Sequence, residues 1–114
     1  MPRRKTTEKE MKNESDVKAR VKKLFKEVAA QHGRLWWFMP SANGFGRAGI
    51  PDFVGHVNGC AFAVETKFGK GDLTAHQAKE LEVFILAGGK AWIVRETNID
   101  WFENEFAAWV SLCL

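Results

Sequence analysis

Asp52, Glu65 and Lys67 are the residues best placed to do chemistry together, because Asn58-Gly59 lies between the runs that carry them. Asn-Gly is the preferred two-residue type I′ hairpin turn, and such a turn fixes register. With Val57 opposite Cys60, His56 faces Ala61, Val54 faces Ala63 and Asp52 faces Glu65. Side chains alternate along a strand, so Asp52, Val54, Ala63, Glu65 and Lys67 share one face, while Phe53, Val57, Phe62 and Val64 share the other, apolar one. Carboxylates set directly across a sheet repel and raise one another's pKa unless something positive lies between them. A hard cation such as Mg²⁺ would remove the conflict. Such an ion also accepts phosphate oxygens, activates a phosphodiester as a Lewis acid and acidifies a water. Lys67 would then hold the attacking water or offset charge developing on the phosphate. Taken singly, each acid reads as an ordinary surface or strand-start residue; the shared register is what joins them.

The elements that must position this group follow from periodicity and punctuation. Val17, Val21, Leu24 and Val28 recur at helical spacing from Glu14 to about Gln31, and Gly33 can terminate that helix. Glu14 extends the apolar stripe backwards by one turn, an unusual place for an acid, although the helix dipole favours one there. Leu35 to Met39 reads as a strand, and Pro40 to Gly49 as a glycine-rich loop. The strands Ile50 to Val57 and Cys60 to Phe68 follow. Thr74 then caps a helix, with Gln77 at the third position completing a capping box; this helix runs through Ala78, Leu81 and Ile85 to Gly88-Gly89. A strand from Ala91 to Val94 and an amphipathic helix carrying Ile99, Phe102, Phe106, Trp109 and Val110 complete the order α-β-β-β-α-β-α. That order predicts an α/β chain, more narrowly a mixed α+β sheet, in which residues 60 to 94 form a right-handed parallel unit beside an antiparallel hairpin.

The 114 residues suffice for one domain, expected over residues 13–114 behind a flexible basic arm at 1–12. Residues 1–34 hold eleven Lys and Arg against five acids, and the remainder six against nine, so the basic end suits a polyanion; a solvated helix face gives the same count. Cys60 and Cys113 have no metal-ligand spacing and are expected to be buried, reduced thiols. No apolar run approaches a membrane span, which predicts a soluble, intracellular protein. His32, His56 and His76 share no short spacing and read as surface or turn residues. Trp36, Trp37 and Phe38 suit either a core or interface strand or the stacking of unpaired bases. Arg47, Lys70 and the basic arm are the better candidates for phosphate contacts.

Gly49-Ile50-Pro51-Asp52, twelve residues, Glu65-Thr66-Lys67, and then Gln77 early on a helix together resemble the virus-type replication-repair nuclease (VRR-NUC) family of the PD-(D/E)XK nucleases. The resemblance runs from Glu14 to about Val94 and implies a restriction-endonuclease-like core. It also implies Asp52 and Glu65 as principal Mg²⁺ or Mn²⁺ ligands helped by the Thr66 backbone carbonyl, Glu14 as the acid of the first helix, Lys67 as the catalytic lysine and Gln77 in support. Gly49 and Pro51 would shape the turn that presents Asp52. Thr66 departs from the more usual apolar residue, with its side chain expected to point away from the metal. The function so implied is structure-selective endonucleolytic cleavage of branched DNA, such as a four-way junction or flap; a symmetric homodimer, for which the aromatic surface is the local support, would place two active sites near two strands of a junction. The rival readings are a DNA-binding module that keeps the fold without catalysis, and a protein-interaction subunit. Neither needs clustered acids, which repel phosphate in the absence of a metal.

Overall fold

Asn58 (φ 50°) and Gly59 (φ 90°) both take left-handed backbone conformations, as a type I′ turn requires. The turn sets the pairing of β2 (Phe53–Val57) with β3 (Cys60–Thr66): Val57 pairs Cys60, His56 pairs Ala61, Val54 pairs Ala63 and Phe53 pairs Val64. The computed structural model describes residues 10–41 and 47–114. Within these, β1 (Leu35–Phe38) lies antiparallel to β2, and β4 (Lys90–Val94) lies parallel to β3, giving a four-stranded mixed sheet of order β1-β2-β3-β4. Three helices, α1 (Glu14–His32), α2 (Ala75–Leu86) and α3 (Ile99–Cys113), complete the α-β-β-β-α-β-α sequence of elements. Both hairpin strands are shorter than their apolar runs. Pro51 has no N–H to give to a ladder, and Asp52 consequently sits one residue ahead of β2 rather than inside it.

One face of the sheet and the inner faces of α1 and α3 enclose the core. Phe25 of α1 is its hub, meeting the rings of Trp37, Phe53, Phe62 and Phe106 at centroid separations of 5.0 to 5.7 Å. Val17, Val21 and Val28 are buried as the helical stripe predicts, but Phe25 takes the central place and Leu24 is only partly buried. Arg20, on the same face, is buried and binds Asp100 and Glu103 of α3, so an ion pair links the two helices across the core edge. Met11 is already packed in the core, so the fold begins ahead of Asn13, whose side chain caps α1 through the Asp16 N–H. The remainder of the predicted arm, residues 1–9, lies outside the described residues, as does the middle of the Pro40–Gly49 loop. On the opposite face α2 packs beside β4, leaving Trp36 and Phe38 of β1 in the open. Among the described residues no helix is long and apolar enough to cross a membrane.

Candidate metal centre

Where β2 begins and β3 ends, the acids predicted to oppose one another come together. Glu65 is buried as the penultimate residue of β3, and Asp52, half-buried, lies beside it. Burial, a hydrogen bond to Asp52 and the Asp52 charge push the Glu65 carboxyl up to about 8, against the pull of Lys67. Asp52 goes the other way. Burial would raise it, but the hydroxyl and amide of Thr66, together with Glu65 and Lys18, hold it below the usual carboxylate range. Opposite displacements in two neighbouring acids are what coupled titration produces, with Glu65 the more basic member and Asp52 the more acidic one. Glu65 Oε2 is buried without any hydrogen-bond partner among the described residues. That orphaned oxygen needs a proton or a cation.

Thr66 corrects an expectation. Its side chain does not point away from the site: Oγ1 donates to Asp52 Oδ2 at 2.6 Å, and its backbone N–H donates to the same oxygen at 2.8 Å. The reason is that Asp52 stands outside the ladder, so strand alternation does not confine its side chain to one face. Both donors favour the charged form of Asp52.

The glycine loop positions Asp52 from the other side. Gly49 adopts φ 81°, and a Cβ there would fall 2.4 Å from the carbonyl carbon and oxygen of His76. Only glycine lets this segment lie against the first turn of α2. Pro51 is buried and carries the chain from that contact into β2. At the same helix end the predicted capping box is complete, the Thr74 N–H donating to Gln77 Oε1 (2.9 Å) and the Gln77 N–H to Thr74 Oγ1 (3.1 Å). Gln77 Nε2 also reaches Glu65 Oε1 at 3.5 Å, so one side chain caps α2 and touches the acid pair.

Glu14 lies at one remove. Its Oε2 is 3.3 Å from Lys18 Nζ, and that ammonium is 3.6 Å from Asp52 Oδ1, so Lys18 stands between the helix acid and the strand acid. Sequence periodicity did not single out Lys18; its signal was its place one turn after Glu14, on the same side of α1. Accordingly, among the described residues no three His, Cys, Asp or Glu converge as a ready metal group. Lys67 is half-buried on the Glu65 face and close enough to act on that carboxyl. Arg47 is exposed and binds Glu80 of α2 at 2.8 Å, and Lys70 is exposed in the turn after β3.

Other predicted candidates separate from the site. His32, His56 and His76 are exposed and lie on three different elements, the end of α1, β2 and the first turn of α2. Cys60 and Cys113 are free but only half-buried, and they hydrogen-bond to each other; burial and then this contact push the Cys113 thiol up to about 12. The aromatic strand divides. Trp37 enters the core against Phe25 and Phe53, whereas Trp36 and Phe38 pack on one another outside, with His56 beside Trp36. Register places these two exposed rings on the same sheet face as Val54, Ala63 and Glu65. No protein-family model, no curated protein and no solved structure matches the chain.

Proposed function

We propose that this protein is a metal-dependent DNA endonuclease with a PD-(D/E)XK-type core, of the VRR-NUC kind its motifs resemble. The observation that carries the reading is the Asp52–Glu65 pair with its orphaned buried oxygen, set beside Lys67. The donor chemistry fits Mg²⁺ or Mn²⁺: carboxylate oxygens from Asp52 and Glu65, the Thr66 carbonyl, and Glu14 within one side chain's length. When bound, the ion supplies Lewis-acid activation of a phosphodiester and a water acidic enough to attack it.

The chain's own residues do the rest. Thr66 keeps Asp52 ionised and aimed, and Gln77 holds Glu65 from the helix side. Lys67 orients the attacking water or meets charge developing on the phosphate. Arg47 and Lys70 contact flanking phosphates. The substrate in this reading is branched DNA, cut by a symmetric dimer that brings two sites to one junction.

The test is cleavage of labelled duplex, single-stranded, flap and four-way-junction DNA with Mg²⁺, Mn²⁺ or EDTA, by the wild type and Asp52→Ala. Metal-dependent cutting that Asp52→Ala abolishes supports the nuclease. Binding without cutting under every metal would leave a DNA-binding module, and a monomeric mass in solution would remove the dimer.

A further inference from the structure

Lys18 brings a cation to this site that no sequence motif assigns. Its ammonium is 3.3 Å from Glu14 Oε2 and 3.6 Å from Asp52 Oδ1, and its side chain is about two-thirds covered. It is the group through which the α1 acid and the strand acid are joined. Lys67, by contrast, forms no ion pair among the described residues. Asp52 Oδ2 accepts from both donors of Thr66, and Lys18 faces the other oxygen, Oδ1.

From this geometry we infer that Lys18 is a built-in counter-ion which a divalent metal must displace in order to bind. The inference rests on the metal-site reading above. In the metal-free protein the ammonium holds Glu14 and Asp52 together and offsets their repulsion. A divalent ion ligated by Asp52 takes the same oxygen and repels the ammonium, so Lys18 has to swing away from both acids. Once released it stands at the rim of the site, free to meet a phosphate. Metal loading therefore both fills the carboxylate pair and liberates a cation.

Calorimetric titration of Mn²⁺ in the absence of DNA, on the wild type, Lys18→Gln, Lys22→Gln and Asp52→Ala, tests this directly. Lys22 is an exposed lysine one turn further along α1 and controls for net charge. Lys18→Gln is expected to bind Mn²⁺ about five- to ten-fold more tightly, the scale of one partly exposed ion pair. Lys22→Gln should match the wild type. The second readout is lysine acetylation followed by mass spectrometry: Lys18 should be protected without metal and become reactive on adding Mn²⁺. Unchanged or weaker Mn²⁺ affinity in Lys18→Gln, or Lys18 reactivity indifferent to metal, would overturn the counter-ion while leaving an Asp52-dependent metal site intact. If neither the wild type nor Lys18→Gln takes up Mn²⁺, the metal-site reading itself falls, and this inference with it.

Discussion

Thr66 gives both of its hydrogen-bond donors to a single oxygen of Asp52, at 2.6 and 2.8 Å. The hydroxyl half of this contact can be removed almost without changing volume. Thr66→Val keeps the backbone donor and loses the side-chain one. Because the bond is made to a charged group, the expected cost is about 1.5 to 3 kcal/mol of folding stability, with Asp52 moving back towards the ordinary carboxylate range. Urea denaturation of both proteins in EDTA measures the loss; equal stability would mean that the backbone N–H alone fixes Asp52.

Glu65 sets a pH dependence of opposite sign to that of Asp52. Its folded pKa, about 8, lies above the usual value of 4.5, so the folded chain holds a proton that the unfolded chain has released. The stability linked to that proton is fully present below about 4.5 and is lost as pH rises through about 8, with a slope approaching about 1.4 kcal/mol per pH unit. Asp52 is held low and therefore contributes stability above its unfolded pKa that is lost in acid. In EDTA, the melting temperature should fall between pH 5 and pH 8 in the wild type and stay flatter in Glu65→Gln. Under the proposed metal-site reading, Mn²⁺ would compete with the same proton, so its affinity is expected to rise over this window. A wild-type melting curve as flat as that of Glu65→Gln would place the proton elsewhere.

Gly49 and Gly33 both have positive φ, yet their alanine variants should differ. Open space surrounds Gly33 at the end of α1, whereas Gly49 is pressed on the His76 and Gln77 backbone. Gly33→Ala meets only conformational strain, about 1 kcal/mol. Gly49→Ala adds a steric clash with main chain that cannot rotate away, and it should cost more and weaken Mn²⁺ binding by displacing Asp52. Thermal melts and metal titrations on the two variants make the comparison, and equal effects would show that the loop yields freely.

Local signals carry the scaffold and the pairing of the two acids in the candidate site. Asn58-Gly59 determines the hairpin register, and Thr74-x-x-Gln77 determines where α2 starts, because each is a contact between residues close in sequence. The acid pair was readable for the same reason. Lys18 was not, because its partner Asp52 lies on another element and helical spacing says nothing about what stands across from a face. Arg20 was hidden similarly: it occupies the buried stripe of α1, where a charge is unexpected, and its acids lie some eighty residues further on. The Thr66 misreading arose from applying strand alternation to Asp52, which Pro51 keeps out of the strand.

The buried Arg20 pair makes its own prediction. Removing one member of a buried ion pair is costly chiefly because its partner's desolvation is no longer compensated. Glu103 is well covered while Asp100 is exposed, so only the first contact should count strongly. Arg20→Met is expected to lose about 2 to 4 kcal/mol, and Asp100→Asn under 1 kcal/mol. Since Arg20 is paired with Asp100 and Glu103 of α3, Mn²⁺ affinity at a temperature where both proteins are folded should be unchanged. A parallel loss of metal binding would show that α1 shifts as a body and carries Glu14 and Lys18 with it.

Trp36 and Phe38 offer an exposed aromatic surface on the sheet face that also bears Glu65. Phe38 pairs with Val54, two residues along the chain from Asp52, so strand geometry puts it roughly 8 Å from the start of the acid pair. That is about the distance from a phosphate to a neighbouring base. If DNA is cut at the carboxylates, an unpaired base beside the scissile phosphate can stack there, a contact worth about 1 to 3 kcal/mol per base. Trp36→Ala and Phe38→Ala should therefore weaken binding to single-stranded or flap DNA by about five- to a hundred-fold, and binding to fully paired duplex much less. Mn²⁺ affinity should not change, because an aromatic ring supplies no oxygen ligand for the ion. Fluorescence anisotropy with the three DNAs reads the first effect, and solution mass runs beside it. Substitutions that halve the mass while weakening all DNAs equally would assign the rings to a subunit interface instead.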